Sequence, residues 1–332
     1  MSKPDFSKFL APIATKMDAV EGELQRLVKG DADIISRLAK HVSKGSGKRL
    51  RPAIVLLASK FSGCDSDEDV RYAAVFEIIH NATLIHDDVI DNASTRRGRP
   101  SLNAAWGNPQ SVLFGDFLYM QAMRSALEGR SWKILDILLD VTSRMTTGEL
   151  IQNENLYNLG TTRDAYFEIL ERKTALLFAG CTECGAVLGG QDEDACKALH
   201  RYGLELGRAF QLVDDMLDYT STSEHLGKPV FSDLTEGKLT LPVLLVLERA
   251  PKDAKPIIER AWSAKPKGIS KQDASLLKEL LEKHSIINEV RAEAGRASRA
   301  AANALPAALP GGDPSLASLL KDIPEMLLKR TR

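Results

Sequence analysis

The chain has 332 residues, 44% of them hydrophobic, which is long enough for one large core or two smaller ones. With 44 Lys+Arg against 45 Asp+Glu the formal net charge is −1, a balance that gives no support to nucleic-acid binding or to docking on an anionic surface. No apolar run approaches the roughly 18 residues of a membrane-crossing helix, and Met1–Val20 lacks the continuous apolar stretch of a signal peptide, so a cytoplasmic location is the default expectation.

Apolar residues recur with a helical period nearly throughout, with no alternating strand run and no Asn-Gly or Asp-Gly hairpin turn. In chain order the pattern predicts helices over 6–29, 31–42, 51–62, 67–91, 102–106, 110–128, 131–156, 162–188, 192–219, 238–249, 252–263, 271–283, 285–304 and 313–329. Glycine and proline mark the breaks, among them 45–47, 98–100, 107–109, 189–190, 227–229, 266–268 and 310–312. Short connections between long amphipathic helices imply antiparallel neighbours in one bundle. The expectation is therefore an all-α fold: a single domain spanning 1–332, with about a dozen helices around a central cavity. The segment 250–332 is more charged and richer in alanine, and is expected at the periphery.

Two copies of one acidic pattern stand out. The first is Asp87-Asp88-Val89-Ile90-Asp91 and the second is Asp214-Asp215-Met216-Leu217-Asp218. Residues i and i+4 share a helix face, so Asp87 pairs with Asp91 and Asp214 with Asp218. Both copies lie in strongly apolar helical sequence, where carboxylates held close together repel unless hard divalent cations sit between them. All-oxygen donors suit Mg²⁺, and several cations suggest a diphosphate. A solvated surface would also carry aspartates, but not twice in this pattern within helices that are apolar nearly all round.

Basic groups complement the acids. Gly47-Lys48-Arg49-Leu50-Arg51-Pro52 is a compact basic turn entering a helix, and Arg96-Arg97-Gly98-Arg99-Pro100 follows the first acidic cluster. Lys173-Thr174 interrupts an apolar helix, and Lys228 and Lys238 flank the loop after the second cluster. Arginine and lysine bind phosphate through charge-assisted hydrogen bonds. Of the four cysteines, Cys181 and Cys184 form a lone C-x-x-C without a second pair at zinc spacing, and read as small core residues with reduced thiols.

In order and spacing, GKRLRP, DDVIDNASTRRGRPS, ERKTALLF, GRAFQLVDDMLD and GKPVFSDLTEGKLTLP resemble the trans-type polyprenyl diphosphate synthases over about residues 40–245. The resemblance implies an isoprenoid-synthase-type all-α bundle around a deep central cavity, usually in a homodimer. It also implies a Mg²⁺-dependent prenyltransferase that extends an allylic diphosphate by five-carbon units from isopentenyl diphosphate. It implies that Asp87, Asp88, Asp91, Asp214, Asp215 and Asp218 bind Mg²⁺, about two or three ions per site, bridging the allylic diphosphate. Arg96, Lys173, Lys228 and Lys238 would contact that same diphosphate. Lys48, Arg51 and Arg97, assisted by His80, would hold the diphosphate of isopentenyl diphosphate. Thr174 and Gln211 match positions that line the reaction centre. His80 lies two turns before Asp87 on the same face, which fits such a role, although a lone buried histidine is more often structural.

One departure stands out: two residues after Gly227-Lys228-Pro229 the family usually carries glycine, and here the residue is Phe231. A bulky side chain there would change how the loop 221–237 closes. Product length is read from the helix before Asp87. Thr83 and Ala82 lie about 6 and 7.5 Å back along its axis, where short-chain members carry a bulky aromatic. Both are small, so the path for a growing hydrocarbon stays open, with a floor set deeper by Phe117, Met120 or Met123. The implied product is a long chain of about six to eight or more units, on a path measured by the helical rise. A short-chain synthase is the alternative. A non-catalytic partner subunit would have lost one acidic motif, and a terpene cyclase would not need the GKRLRP turn.

Overall fold

Proline makes the first departure from the predicted pattern. Pro12 tightens residues 11–13 into a 3₁₀ turn and splits the predicted helix 6–29 into α1 (Ser7–Leu10) and α2 (Ala14–Leu27). The computed structural model describes residues 7–43, 49–221, 230–264 and 268–329. Chain order continues with α3 (Asp33–Ser43), α4 (Leu50–Phe61), α5 (Glu68–Ile90), α6 (Leu102–Trp106), α7 (Asn108–Glu128) and α8 (Trp132–Glu154). It goes on with α9 (Arg163–Leu170), α10 (Leu176–Leu188), α11 (Glu193–Thr220), α12 (Ser232–Thr235), α13 (Leu241–Arg249) and α14 (Pro251–Ser263). The last three are α15 (Lys271–Lys283), α16 (Ile286–Ala304) and α17 (Ser315–Lys329). Side-chain caps fix several starts: Ser131, Thr162, Asp192 and Ser270 each accept the N–H three residues on.

Two apolar clusters make the interior. One gathers α1 to α8, most of α10, the first half of α11 and α17. The other gathers α9, the second half of α11 and α12 to α16, and Leu204 packs against both. Helix α10 is squeezed between α4 and α11 because its neighbours approach at glycines. A Cβ on Gly185 would come within 2.6 Å of Ala58 Cβ, and one on Gly203 within 2.5 Å of the Phe178 carbonyl oxygen. The segment after 250 is not uniformly peripheral. Helix α16 lies along α11, with Val290, Ala294, Ala297 and Ala301 buried, so its alanines serve close helix packing. Cys181 and Cys184 are buried free thiols in α10.

Two features escaped the periodicity. Residues Glu171–Ala175 form a π turn inside the predicted helix 162–188. Thr95–Arg96 pairs antiparallel with Arg99–Pro100, too short a ladder to leave an alternating pattern. Its turn residues, Arg97 and Gly98, both have positive φ, as a two-residue hairpin of the primed type requires.

Phe231 shows why its position favours glycine. Its φ of 60° is left-handed, a conformation that costs an L-residue about 1–2 kcal/mol. The ring is nonetheless wholly buried, edge-on to Tyr219 with centroids 5.5 Å apart, and the Lys278 ammonium lies 5.7 Å from its centre. Truncating a buried phenylalanine costs about 3–5 kcal/mol, so the ring outweighs the strain. Phe231→Gly should therefore destabilise by about 2 kcal/mol, with Phe231→Ala worse because it keeps the strain. Denaturant unfolding followed by circular dichroism measures both. A more stable glycine variant would show that the ring does not anchor this segment.

Candidate active site

Both acidic clusters sit at helix C-termini. Asp87, Asp88 and Asp91 close α5, and Asp214, Asp215 and Asp218 lie in the last turns of α11. The helix macrodipole is negative there, so each cluster places negative charge on a negative end. Something has to supply positive charge, and different groups supply it to different carboxylates.

In the first cluster Asp88 is buried and gripped by Arg96, whose Nε lies 2.8 Å from both carboxylate oxygens. Asp87 and Asp91 face lysines from elsewhere in the bundle. Lys173 Nζ lies 3.8 Å from Asp87 and 2.6 Å from Glu149 of α8. Lys238 Nζ lies 2.9 Å from Asp91 and 2.7 Å from Glu236. Burial, with Glu149 and Asp91 nearby, pushes the Asp87 carboxyl up to about 6 against the pull of the lysines.

In the second cluster Asp215 is buried and accepts hydrogen bonds from Tyr166 Oη at 2.6 Å and Gln211 Nε2 at 2.7 Å. Burial and the neighbouring Asp233 raise its carboxyl to about 8. Asp218 is fully buried and organises the chain ahead of α12. It accepts from Ser232 Oγ at 2.8 Å, Ser232 N at 3.3 Å and Asp233 N at 3.2 Å. Asp214 is half-buried. Thr174 Oγ1 donates to Gln211 Oε1 at 2.8 Å. A cavity of ≈ 160 Å³ adjoins the second cluster, lined by Lys173, Thr174, Gln211, Asp215, Asp233 and Lys238 among others.

The donor set fits a hard divalent cation, since every acidic group is an oxygen ligand. Among the described residues, however, no three His, Cys, Asp or Glu side chains converge to hold a cation by themselves. Asp88 and Asp218, expected as metal ligands, both meet protein partners here. The first is neutralised by Arg96 and the second is spent on the backbone of 232–233.

A second, basic pocket lies beside the first cluster. Arg51 is half-buried with its guanidinium 4.8 Å from the Phe178 ring centre, and its buried Nε has no hydrogen-bond partner among the described residues. Burial holds the His80 imidazole well below its usual range, and Arg51, Arg97, Arg96 and Arg49 add to the effect, so it is neutral. Burial and the neighbouring guanidinium of Arg96 also lower Arg97. Glu77 is the carboxylate that offsets Arg51 in this cluster. Lys48 and Lys228 lie outside the described residues.

The expected chain-length residues divide. Ala82 is buried in the interior, while Thr83 is half-buried with its hydroxyl donated to the His80 carbonyl at 2.8 Å. Phe117 and Met123 pack against the core from α7. Met120 is 58% exposed and points out of the bundle, so it forms no floor within this chain. It faces outward because it shares a seven-residue spacing with exposed Leu113 and Leu127.

The sequence reading missed Arg49, Glu77, Glu149 and Tyr166. Arg49 takes a left-handed backbone, donates from Nε to Glu21 at 2.6 Å, and donates from a terminal nitrogen to Glu77 at 2.9 Å. It ties the basic turn to α2 and α5. Glu77, an acid within the apolar run VFEII, left a trace in the sequence, and Arg49 stood in the basic turn without an assigned role.

The family model described as polyprenyl synthetase matches residues 32–280. The octaprenyl diphosphate synthase of Escherichia coli (strain K12) is 38% identical over 248 residues, covering 75% of this chain and 77% of that protein. A polyprenyl synthase from Caulobacter crescentus CB15, complexed with calcium and isoprenyl diphosphate, superposes with a TM-score of 0.90 at 34% identity, covering 100% of this chain and 99% of that one. A decaprenyl diphosphate synthase from Rhodobacter capsulatus gives 0.89 at 32% identity, covering 99% of this chain and 100% of that one. The chain belongs to the polyprenyl synthetase family and is an all-α prenyltransferase.

Proposed function

We propose that the chain condenses isopentenyl diphosphate with an allylic diphosphate, using Mg²⁺, to build an all-trans long-chain polyprenyl diphosphate. The observation that carries this is the pair of unlike anion sites side by side. One sets Lys173 and Lys238 against Asp87 and Asp91, and the other gathers arginines around Arg51, whose buried Nε has no hydrogen-bond partner among the described residues. The whole chain serves as one catalytic unit, with the motifs between 44 and 242.

Lys173 and Lys238 would hold the allylic diphosphate against Asp87, Asp91 and Asp214, with Arg96 alongside. Arg51, Arg97 and neutral His80 would hold the diphosphate of isopentenyl diphosphate, together with Lys48. A divalent cation, when bound, supplies Lewis-acid stabilisation of the leaving diphosphate. The fixed lysines add preorganised positive charge where negative charge grows. The C–O bond breaks with its electron pair leaving on the diphosphate, and the isopentenyl double bond supplies the pair for the new C–C bond. Loss of a proton to the released diphosphate restores an allylic diphosphate, so the cycle can repeat. The growing hydrocarbon passes Thr83 and Ala82 into the apolar interior.

Purified protein with Mg²⁺, an allylic diphosphate and labelled isopentenyl diphosphate should give products of about six or more units, as a path past small residues at one helical rise apiece allows. Asp87→Ala and Asp214→Ala should each lower turnover by several orders of magnitude, since each removes several kcal/mol of charge stabilisation. Ala82→Tyr should shorten the product. A wild type that stops at fifteen or twenty carbons would contradict the long-chain reading, and no incorporation would contradict the reaction.

The two substrates should separate by mutation. Arg51→Ala should raise the KM for isopentenyl diphosphate far more than that for the allylic primer. Equal rises would count against separate pockets.

A homodimer is the proposed assembly. Leu113, Met120 and Leu127 on α7, with Trp132 and Leu139 on α8, form an apolar outer stripe at seven-residue spacing, which suits a second copy of the same helices. Met120→Glu with Leu113→Glu should give a monomer in sedimentation where the wild type is a dimer. A wild-type monomer would remove this assembly.

A further inference from the structure

Tyr166 belongs to none of the acidic or basic motifs, yet its hydroxyl is the far end of a chain of hydrogen bonds into the cavity. Its Oη donates to Asp215 Oδ2 at 2.6 Å. Asp215 Oδ1 accepts from Gln211 Nε2 at 2.7 Å, and Gln211 Oε1 accepts from Thr174 Oγ1 at 2.8 Å. The four residues come from α9, α11 and the π turn, and all four line the same cavity.

The polarity of the rest of the chain follows from the two donors on Asp215, Tyr166 Oη and Gln211 Nε2. An amide nitrogen only donates, so Gln211 turns Nε2 to Asp215 and its carbonyl oxygen to Thr174. Thr174 then gives its single hydroxyl hydrogen to Gln211 and keeps its lone pairs for other directions. The result is an arrangement that offers oxygen lone pairs, rather than hydrogens, beside Lys173. Where positive charge develops on an allylic fragment, the negative ends of fixed dipoles stabilise it. Asp215 is buried, so it must be satisfied on both oxygens, and Tyr166 satisfies one of them. Without that donor the carboxyl turns to find another, Gln211 is freed, and Thr174 can point its hydrogen into the cavity.

We propose that Tyr166 is a positioning residue for the condensation step, acting through Asp215 and Gln211 to hold Thr174 with its lone pairs toward the developing allylic cation. The proposal rests on the condensation reading above. Tyr166 touches no substrate in this account. Its ring, 5.2 Å from that of Phe167, stays packed when only the hydroxyl is removed.

The test is Tyr166→Phe in the full chain, assayed with Mg²⁺, an allylic diphosphate and labelled isopentenyl diphosphate. The expected result is a kcat lowered by about 10- to 100-fold, on the scale of losing one preorganised polar contact, with both KM values within about twofold. A larger share of the allylic diphosphate should be captured by water as alcohol and inorganic diphosphate. Thr174→Val should lower kcat at least as far, and adding Tyr166→Phe to it should cost nothing more, because coupled residues are not additive. Putting 4-aminophenylalanine in place of Tyr166 keeps an N–H donor and should restore kcat to within about threefold. That rescue also keeps the test readable if Tyr166→Phe folds poorly. Wild-type kcat in Tyr166→Phe, a rise in KM alone, losses that multiply in the double variant, or failure of the rescue would each overturn the proposal. A wild type that does not incorporate isopentenyl diphosphate would remove the condensation reading as well. A wild type that does, matched by Tyr166→Phe, would remove only the role of Tyr166.

Discussion

Negative charge at the negative ends of two helices is the constraint on which this molecule depends. Asp87 to Asp91 close α5, and Asp214 to Asp218 lie in the last turns of α11, where unpaired carbonyls already concentrate partial negative charge. A fold selected for stability alone would place lysine or arginine there. This one brings Lys173 in from a π turn and Lys238 from the segment before α13, and it leaves Asp87 poised between them. Under the proposed function, cations and phosphates would relieve the strain of the arrangement.

The six aspartates therefore share the work unequally. Asp88 and Asp218 are bound into the protein, one by Arg96 and the other by the backbone of 232–233. Asp215 anchors a hydrogen-bond chain to Tyr166 and Thr174. These three are the more buried members: Asp88 and Asp215 each follow the first residue of their motif and turn inward, and Asp218 is covered by residues 232–233. The repeated motif thus supplies carboxylates that the protein itself binds as well as those proposed to hold a cation.

The all-helical architecture was legible because apolar periodicity is dense and uninterrupted, and the acidic and basic motifs were legible because charge in apolar helices is costly and so stands out. Three things were not. The π turn that presents Lys173 and Thr174 leaves the sequence looking like one long helix, since a single extra residue per turn hardly disturbs the period. Which aspartate faces which partner depends on the rotation of α5 and α11 against their neighbours, and local spacing does not fix that rotation. Met120 looked like a cavity floor from its position on α7, yet the outer face of that helix is apolar as well, so hydrophobicity alone did not reveal its direction. The left-handed Phe231 was visible as a departure from the family, but its burial against Tyr219 was not.

The central claim is that Asp87, Asp91 and Asp214 share cations with a bound diphosphate, while Asp88, Asp215 and Asp218 do not touch metal. Crystals grown with Mn²⁺ and a non-ionising allylic thiolodiphosphate, examined by anomalous scattering, test it directly. The account predicts Mn²⁺ peaks between the analogue and the carboxylates of Asp87, Asp91 and Asp214, fading when the analogue is left out. Mn²⁺ on Asp88, Asp215 or Asp218, or peaks of equal strength without any diphosphate, would contradict it.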